Sequence, residues 1–404
     1  MSDGIKAIIV SDKAIHKLKS LISRVWSSPG VRPALMAFLG VRIALLLFAP
    51  VARGLLPAAI LPHPILRPYL GVEPVTNPWL EPWQRWDTLH FQAIAERGYG
   101  AYDTSLYTPF LFPLLMRLTA GIAGGNTLIS GLILSNLSYL IALYYLFRLT
   151  AMETDQSVAR RCVFYLSIFP MSFFFLAAYS ESLFLLTAVA SLYHARQKQW
   201  LAAGAWGFLA PITRLQGALL PLVLGFEIWR TKKSGHFPAP KAWGGLTLSA
   251  LGVLAFPLYV RVALGRSVQD ILHALSERFH GHFVFPGLAI LSSLKHILAG
   301  KALPSDWFDL GFTLLFIVLT IQVVRKLPAV FGLYSVATLI LVLMKVAETQ
   351  PLLSAPRYTL GIFPAFIVLA QAGKNSWVNR LIVYLSLLGL MYFSGQFFIW
   401  GWVA

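Results

Sequence analysis

The chain has 404 residues, of which 57% are hydrophobic and 12% are charged, whereas about 25% of the residues in an ordinary soluble domain are charged. Apolar segments long enough to cross a bilayer recur between residues 34 and 401, which predicts one all-α polytopic membrane protein instead of several soluble domains. The formal net charge of +17 comes without a basic patch interleaved with aromatic residues, so no nucleic-acid partner is predicted. The single cysteine, Cys162, excludes an intramolecular disulfide.

Residues 1–32 form the first predicted element. Isoleucine and leucine recur there every three to four residues among several lysines and arginines, a spacing that is typical of a basic amphipathic helix and not of a signal peptide. Such a helix lies on the cytoplasmic leaflet, where anionic lipids attract its positive charge. Binding to a partner protein is the alternative. Residues 33–404 are predicted to form a single transmembrane domain.

Eleven apolar segments of this domain are candidate membrane-spanning helices. Several of the middle segments are shorter than the roughly 17 residues that a span requires, so we expect their helices either to extend into neighbouring motifs or to be broken. The eleven segments are residues 34–56, 126–149, 159–177, 182–195, 200–213, 217–230, 243–264, 307–324, 329–345, 358–373 and 379–401.

The first outer loop, residues 60–125, contains one more apolar stretch at residues 107–122. Pro109, Pro113 and Arg117 interrupt this stretch, so we expect it to lie along the outer surface or to enter the membrane and return. With this layout, more than half of the lysines and arginines lie on the side of the N-terminus, which the positive-inside rule places in the cytoplasm. The polar motifs then share the opposite, extracytoplasmic face.

Charged and aromatic residues are concentrated in the sequence RWDTLHFQAIAERGY, residues 85–99. Its apolar residues have the spacing of a short amphipathic helix that ends at Gly98, and Asp87 and His90 lie three residues apart on one face. A carboxylate at this position has two interpretations. Asp87 is a catalytic group, or it stabilises the start of the helix and pairs with His90 or Arg85.

Three further ionisable residues are predicted at the membrane edge. Glu181, in AYSESLF, is either a functional carboxylate or a residue that stabilises the start of a helix. Arg214, in TRLQG, and Arg357, in SAPRYTLGIF, each lie beside apolar helices. A guanidinium in that position requires a carboxylate or another anion, and phosphate is the anion that arginine binds best.

The long outer loop after residue 265 contains the sequence SERFHGHF, with Arg278, His280 and His282. Contact with a phosphate and anchoring at the membrane interface both fit these residues. Two histidines this close are also compatible with a metal ion, but no further histidine or carboxylate accompanies them at the spacing of metal ligands. No cofactor is therefore predicted, and a divalent metal remains the alternative.

Five motifs, in order along the chain, resemble the PIG-V family of membrane mannosyltransferases, whose eukaryotic members are GPI mannosyltransferase 2. The motifs are RWDTLHFQAIAERGY, YTPFLFPLL, AYSESLF, TRLQG and APRYTLGIFPAF, and the similarity runs from about residue 35 to the C-terminus. TRLQG keeps only the pattern T-R-x-x-G. The resemblance implies a GT-C glycosyltransferase fold, with short interfacial helices in the first outer loop and a catalytic acid at Asp87.

Families of this kind take the sugar from a polyprenyl (dolichyl-type) phosphate and invert the anomeric centre. The resemblance thus implies a mannosyltransferase whose partners are this donor, a lipid or glycan acceptor, and membrane lipids. A flippase or transporter of lipid-linked sugars is the alternative, although the sequence has no internal repeat of the transporter type. The active site is expected on the extracytoplasmic face, at the plasma membrane of a prokaryote or in the endoplasmic reticulum of a eukaryote.

The predicted roles of the site residues follow from this reaction. Asp87 is the general base, and Arg214 or Arg357 stabilises the phosphate of the donor, with Arg278 and His280 as further candidates. The predicted substrate-binding residues are Trp86 and Tyr99 beside the sugar, His90 beside Asp87, and Glu181 at the acceptor.

Overall fold

The structure is a computed structural model that describes residues 27–59, 70–102, 105–233, 239–279, 281–348 and 350–403. Over these residues the chain forms sixteen α-helices, short 3₁₀ turns and one two-stranded antiparallel sheet. The amphipathic helix predicted for residues 1–32 lies almost entirely outside the described residues.

The helices and strands are numbered along the chain. The first half contains α1 (Val31–Leu55), α2 (Asp87–Arg97), α3 (Leu111–Ala120), α4 (Thr127–Glu153), α5 (Gln156–Ile168), α6 (Glu181–Arg196), α7 (Trp200–Leu209) and α8 (Leu220–Lys233). The second half contains α9 (Pro240–Ala263), α10 (Val268–Phe279), β1 (Gly281–Phe283), α11 (Leu288–Leu298), α12 (Pro304–Lys326), α13 (Ala329–Leu343), β2 (Lys345–Ala347), α14 (Ala355–Tyr358), α15 (Pro364–Ala372) and α16 (Ser376–Phe398).

Five of the described helices, α1, α4, α9, α12 and α16, are long and apolar enough to cross a membrane. The predicted all-α class is therefore confirmed. The predicted count of eleven spans is not confirmed, because the helices in the other six segments have only 9 to 16 residues. The middle of the chain was expected to have helices that either extend into neighbouring motifs or are broken, and these short helices agree with the latter.

The breaks have local causes in the sequence. Helix α5 ends where Phe169 becomes extended, because a residue that precedes a proline, here Pro170, disfavours the helical conformation. The chain then makes a 3₁₀ turn at Ser172–Phe175 before α6 begins at Glu181. After α7, Arg214 is likewise extended. The first break thus leads to Glu181 at the start of α6, and the second contains Arg214.

The apolar stretch at residues 107–122 forms α3, which has ten residues and is too short to cross a bilayer. Phe112 and Met116 are buried on one side of this helix, whereas Leu114 and Leu118 are exposed on the other. This amphipathic arrangement agrees with the expectation that the stretch is not a full span.

Helices α7 and α9 pack closely through glycines. A methyl group added to Gly245 would overlap the carbonyl oxygen of Trp200, and one added to Gly204 would overlap the backbone of Gly245. Small residues of this kind let two membrane helices approach until their backbones touch. The short helix α7 is thereby fixed against the long helix α9.

Replacing Gly245 with alanine is therefore expected to destabilise the protein. Overpacking at such a contact costs about 1–3 kcal/mol, so the melting temperature in detergent should fall measurably. The neighbouring Gly244→Ala variant is the matched control, because the added methyl group would meet only Leu201 Cδ2, at 3.4 Å. Equal melting temperatures for the two variants would contradict the described packing of α7 on α9.

Candidate active site

A cavity of about 370 Å³ lies where the ends of several helices meet. Its wall is largely apolar, with a group of polar and charged side chains on one part of it. The residues that line the cavity are Asp87, Phe91, Tyr107, Thr108, Pro109, Ser180, Thr213, Arg214, Leu215, Gln216, Leu272, Leu275, Ser276, Phe283, Leu341, Val342, Lys345, Arg357 and Tyr358.

The wall of the cavity combines segments that are far apart in sequence. They are the start of α2, the segment before α3, the start of α6, the break after α7, helix α10, strand β1, the end of α13 with β2, and α14. The structure thus brings together three of the predicted site residues, Asp87, Arg214 and Arg357, in one cavity.

Asp87 is the first residue of α2, and its backbone N–H donates a hydrogen bond to the Tyr179 hydroxyl at 3.2 Å. Its carboxylate oxygen Oδ2 accepts a hydrogen bond from Arg357 Nη1 at 2.5 Å, and Oδ1 lies 3.9 Å from His90 Nε2. Arg85, the other predicted partner, instead forms an ion pair with Glu81 at 2.6 Å. The arginine that pairs with Asp87 is therefore 270 residues away along the chain.

Arg357 lies between two carboxylates and is only 6% exposed. Its Nη1 binds Asp87, its Nε binds Glu181 Oε1, and its guanidinium lies 4.5 Å from the centre of the Tyr179 ring. Burial lowers the pKa of the Arg357 guanidinium, but Glu181 and Asp87 outweigh this effect and hold its pKa above the usual value. Arg357 therefore stays charged between the two carboxylates.

Glu181 connects the two arginines. Its Oε1 accepts from Arg357 and lies 2.7 Å from Arg214 Nη1, which also donates to the Ser180 hydroxyl at 3.1 Å. Its second carboxylate oxygen, Oε2, is buried and has no hydrogen-bond partner among the described residues. Two acids and two arginines thus alternate in the order Asp87, Arg357, Glu181, Arg214. Because each buried charge faces an opposite charge, their joint burial is tolerated.

Lys345 is a third cation of the cavity that the sequence did not single out. Strand β2 opposes β1 with Phe283 across from Lys345, and both residues line the cavity. The Lys345 amine lies 5.2 Å from the centre of the Tyr358 ring, and the Arg214 guanidinium lies 5.4 Å from the same ring. The sequence contained one indication of this role, namely a lysine at the end of a predicted span, residues 329–345.

The four predicted substrate-binding residues, Trp86, His90, Tyr99 and Glu181, lie near the cavity but are not part of its lining. Trp86 packs against two tryptophans that follow α16, and the His90 ring lies 5.0 Å from that of Tyr102. The Tyr99 hydroxyl donates to the backbone oxygen of Thr108 at 2.7 Å and so supports a residue that does line the cavity.

The structure describes only part of the outer-loop segment that contains Arg278, His280 and His282. His280 and the side chains of Arg278 and His282 lie outside the described residues, so their predicted contacts stay predictions. Among the described residues, no group of three or more histidine, cysteine, aspartate or glutamate side chains could hold a metal ion.

The fold and the cavity together define an α-helical membrane protein with a buried acid and arginine network between its helix ends. Residues 41–223, a little under half of the chain, match the family model described as mannosyltransferase (PIG-V). This match includes Asp87, Glu181 and Arg214, and it confirms that this part of the chain resembles the PIG-V mannosyltransferases. No curated protein matches the chain.

Several solved structures are similar to this one. ArnT from Cupriavidus metallidurans, bound to undecaprenyl phosphate, has 15% identity and a TM-score of 0.49, with 72% of this chain and 57% of that chain covered. The oligosaccharyltransferase of Archaeoglobus fulgidus, in complex with zinc and sulfate, has 12% identity, a TM-score of 0.41 and coverages of 88% and 53%. AglB of the same organism, in complex with an inhibitory peptide and dolichol-phosphate, has 9% identity, a TM-score of 0.41 and coverages of 90% and 55%. The chain thus spans just over half the length of these proteins.

Proposed function

We propose that this protein is an inverting glycosyltransferase that moves a sugar, with mannose as the first candidate, from a polyprenyl (dolichyl-type) phosphate to a hydroxyl group of a lipid or glycan. The observation that carries the proposal is the joint position of Asp87, Arg214, Arg357 and Lys345 on one cavity whose remaining wall is mostly apolar. The match to the mannosyltransferase family supports the reaction class and the choice of sugar.

In the proposed reaction, the acceptor oxygen attacks the anomeric carbon of the sugar from the face opposite the phosphate. The bond between that carbon and the phosphate oxygen breaks, which inverts the anomeric centre. The proton of the acceptor hydroxyl moves to the Asp87 carboxylate. A positioned base of this kind typically contributes a factor of about 100 to 10,000 in rate.

The leaving group is a polyprenyl phosphate, which is stable as an anion and requires no proton donor. Cations that face its developing charge lower the barrier instead. Arg214, Arg357 and Lys345 are the described cations that line the cavity, and Arg278 and His280 keep their proposed place as further contacts. Because Arg357 also binds Asp87, a bound phosphate would compete for that guanidinium and leave the carboxylate freer to accept a proton.

The apolar part of the cavity suits the isoprenoid chain of such a donor. Leu272 and Leu275 of α10 face Leu341 and Val342 of α13 around the same space, and Phe283 of β1 adds an aromatic surface. Leu272 and Phe283 are both more than half exposed, so the apolar lining continues to the surface of the protein. A long lipid chain could leave the cavity there and enter the membrane.

We place the N-terminus in the cytoplasm and the cavity on the extracytoplasmic face. Helix α6 begins at Glu181, beside the cavity, and its last turn contains Arg196, which belongs to a separate cluster of charged residues. The two ends of α6 therefore lie on different sides, and this direction supports the orientation. That cluster also includes Arg230 near the end of α8, followed by Lys232 and Lys233, as the positive-inside rule favours for a cytoplasmic edge. The membrane would be the plasma membrane in a prokaryote and the endoplasmic reticulum in a eukaryote.

The proposed function predicts that Lys345→Met weakens use of the donor. Losing one charge-assisted contact to the phosphate should raise the KM for the donor by about tenfold or more, with the protein still folded. The matched control is Lys374→Met, which removes a lysine that pairs with Asp155 and does not line the cavity. An unchanged donor KM in Lys345→Met would remove Lys345 from the phosphate site.

The reaction class can be tested with purified protein in nanodiscs, a panel of radiolabelled polyprenyl-phosphate sugars, and a lipid extract as the source of acceptors. Label from one donor should appear in a new lipid or glycan product, which would also identify the sugar. A parallel assay in sealed proteoliposomes tests the transporter alternative. Intact donor that crosses the bilayer, with no transferred label, would overturn the proposed function.

A further inference from the structure

The peptide that precedes Asp87 has an unusual backbone conformation. Trp86 has φ 47° and ψ −117°, a region that L side chains rarely adopt and that costs free energy unless neighbouring contacts hold it. Trp86 sets the direction in which α2 begins, and Asp87 is the first residue of that helix. Contacts that hold Trp86 therefore also determine where the Asp87 carboxylate lies.

Two aromatic contacts to the Trp86 ring come from the turn that follows α16, residues 399–402, which we call the C-terminal turn. The ring of Trp400 lies 5.6 Å from that of Trp86, and the ring of Trp402 lies 5.2 Å from it, both in edge-to-face arrangements. Trp400 is buried and has a positive φ of its own, 66°. Edge-to-face pairs fix the relative orientation of aromatic rings as well as burying their surface.

Arg85 binds the segment that precedes Asp87 to the end of α16. It is completely buried, its Nε and Nη2 donate to the backbone oxygen of Phe398 at 3.2 and 2.9 Å, and its guanidinium lies 4.7 Å from the Trp400 ring centre. Glu81 pairs with Arg85 at 2.6 Å and with Arg53 of α1 at 3.2 Å. The residues before Asp87 are thus bound to both the first and the last helix.

We propose that Trp400 and Trp402 are positioning residues for sugar transfer, because they hold Trp86 in its strained conformation and so keep the Asp87 carboxylate in the cavity. This inference rests on the proposed function for its effect on rate, but not for its effect on structure. Without the two rings, Trp86 would turn towards an ordinary negative φ. The rotation would shift the Asp87 N–H away from the Tyr179 hydroxyl and its carboxylate away from Arg357.

The variant that tests this is Trp402→Ala in the full chain, because Trp402 is 39% exposed and its removal leaves no fully enclosed cavity. We expect kcat to fall by about 10- to 100-fold, as small displacements of a catalytic group do, while the donor KM and the melting temperature change little. Trp402→Phe keeps an aromatic edge and should retain most of the rate. The control is Trp377→Ala, which removes a tryptophan that is 74% exposed at the other end of α16.

A Trp86→Gly background tests whether Trp402 acts through Trp86, because glycine lacks both the ring that Trp402 contacts and the strain of a positive φ. Glycine adopts positive φ without steric cost, so Trp402→Ala should reduce kcat much less in a Trp86→Gly background than in the wild type. Equal reductions in the two backgrounds would overturn the inference, as would a Trp402→Ala variant whose kcat is normal or falls only in step with its melting temperature.

Hydrogen exchange of the peptide that contains Asp87 gives a readout that does not depend on activity. In Trp402→Ala this peptide should exchange faster than in the wild type, and in Trp377→Ala it should not. If the wild type transfers no sugar, the proposed function fails while the exchange measurement still decides the structural part of the inference. Unchanged exchange in Trp402→Ala would contradict the structural part of the inference.

Discussion

Replacing Asp87 with asparagine is expected to reduce the steady-state rate of sugar transfer by about 100- to 10,000-fold, the usual contribution of a positioned base. Asparagine has nearly the same size, and the backbone N–H that binds the Tyr179 hydroxyl is unchanged. The amide cannot take the proton of the acceptor hydroxyl. Arg357 keeps Glu181 as a partner, so the protein should stay folded and still bind the donor.

The control for this variant is Asp155→Asn. Asp155 begins α5 at the exposed N-cap position and takes no part in the cavity, and asparagine is an equally good N-cap residue. Its rate of transfer should therefore equal that of the wild type. Near-normal turnover in Asp87→Asn, with the control behaving as expected, would exclude Asp87 as the base.

Replacing Arg357 with glutamine is expected to impair both stability and activity. The change removes the cation that lies between the half-buried Asp87 and the buried Glu181, and breaking a buried ion pair typically costs about 3–5 kcal/mol. It also removes a cation from the proposed phosphate site. We therefore expect kcat/KM for the donor to fall by at least about 100-fold, which corresponds to the loss of some 2.7 kcal/mol of transition-state stabilisation.

A second substitution separates the two effects. The double variant Arg357→Gln, Glu181→Gln removes one positive and one negative charge, so its melting temperature should recover towards the wild-type value. Its rate of transfer should stay low, because the phosphate site still lacks Arg357. A double variant that regains both stability and transfer would show that Arg357 acts only as a structural partner of Glu181.

The elements that were predictable from the sequence depend on local patterns. Helix α2 ends at Arg97 and is followed by Gly98 with φ 77°, as the spacing and the glycine predicted. The long apolar helices were evident because a span requires an unbroken run of apolar residues. The layout of eleven candidate spans predicted Asp87 and Arg357 on the same face, and both residues line the cavity. The number of membrane crossings between them stays a prediction.

The remaining features depend on contacts between distant segments. A local pattern contains no information on which carboxylate Arg357 binds, because Glu181 and Asp87 are 176 and 270 residues away. Strands of three residues are too short for any periodicity, so the sheet that places Lys345 was not predicted. The positive φ of Trp86 likewise reflects its packing against the C-terminal turn and not the preference of a tryptophan.

The most direct test of Asp87-dependent transfer in this cavity is a single-turnover experiment. Wild type and Asp87→Asn in nanodiscs are loaded to the same occupancy with the radiolabelled polyprenyl-phosphate sugar that the panel identifies, and the transfer of label is timed after addition of acceptor. We expect the wild type to transfer the label and Asp87→Asn to retain the donor but to react at least about 100-fold more slowly. Equal single-turnover rates for the two proteins would contradict the proposed role of Asp87 as the base.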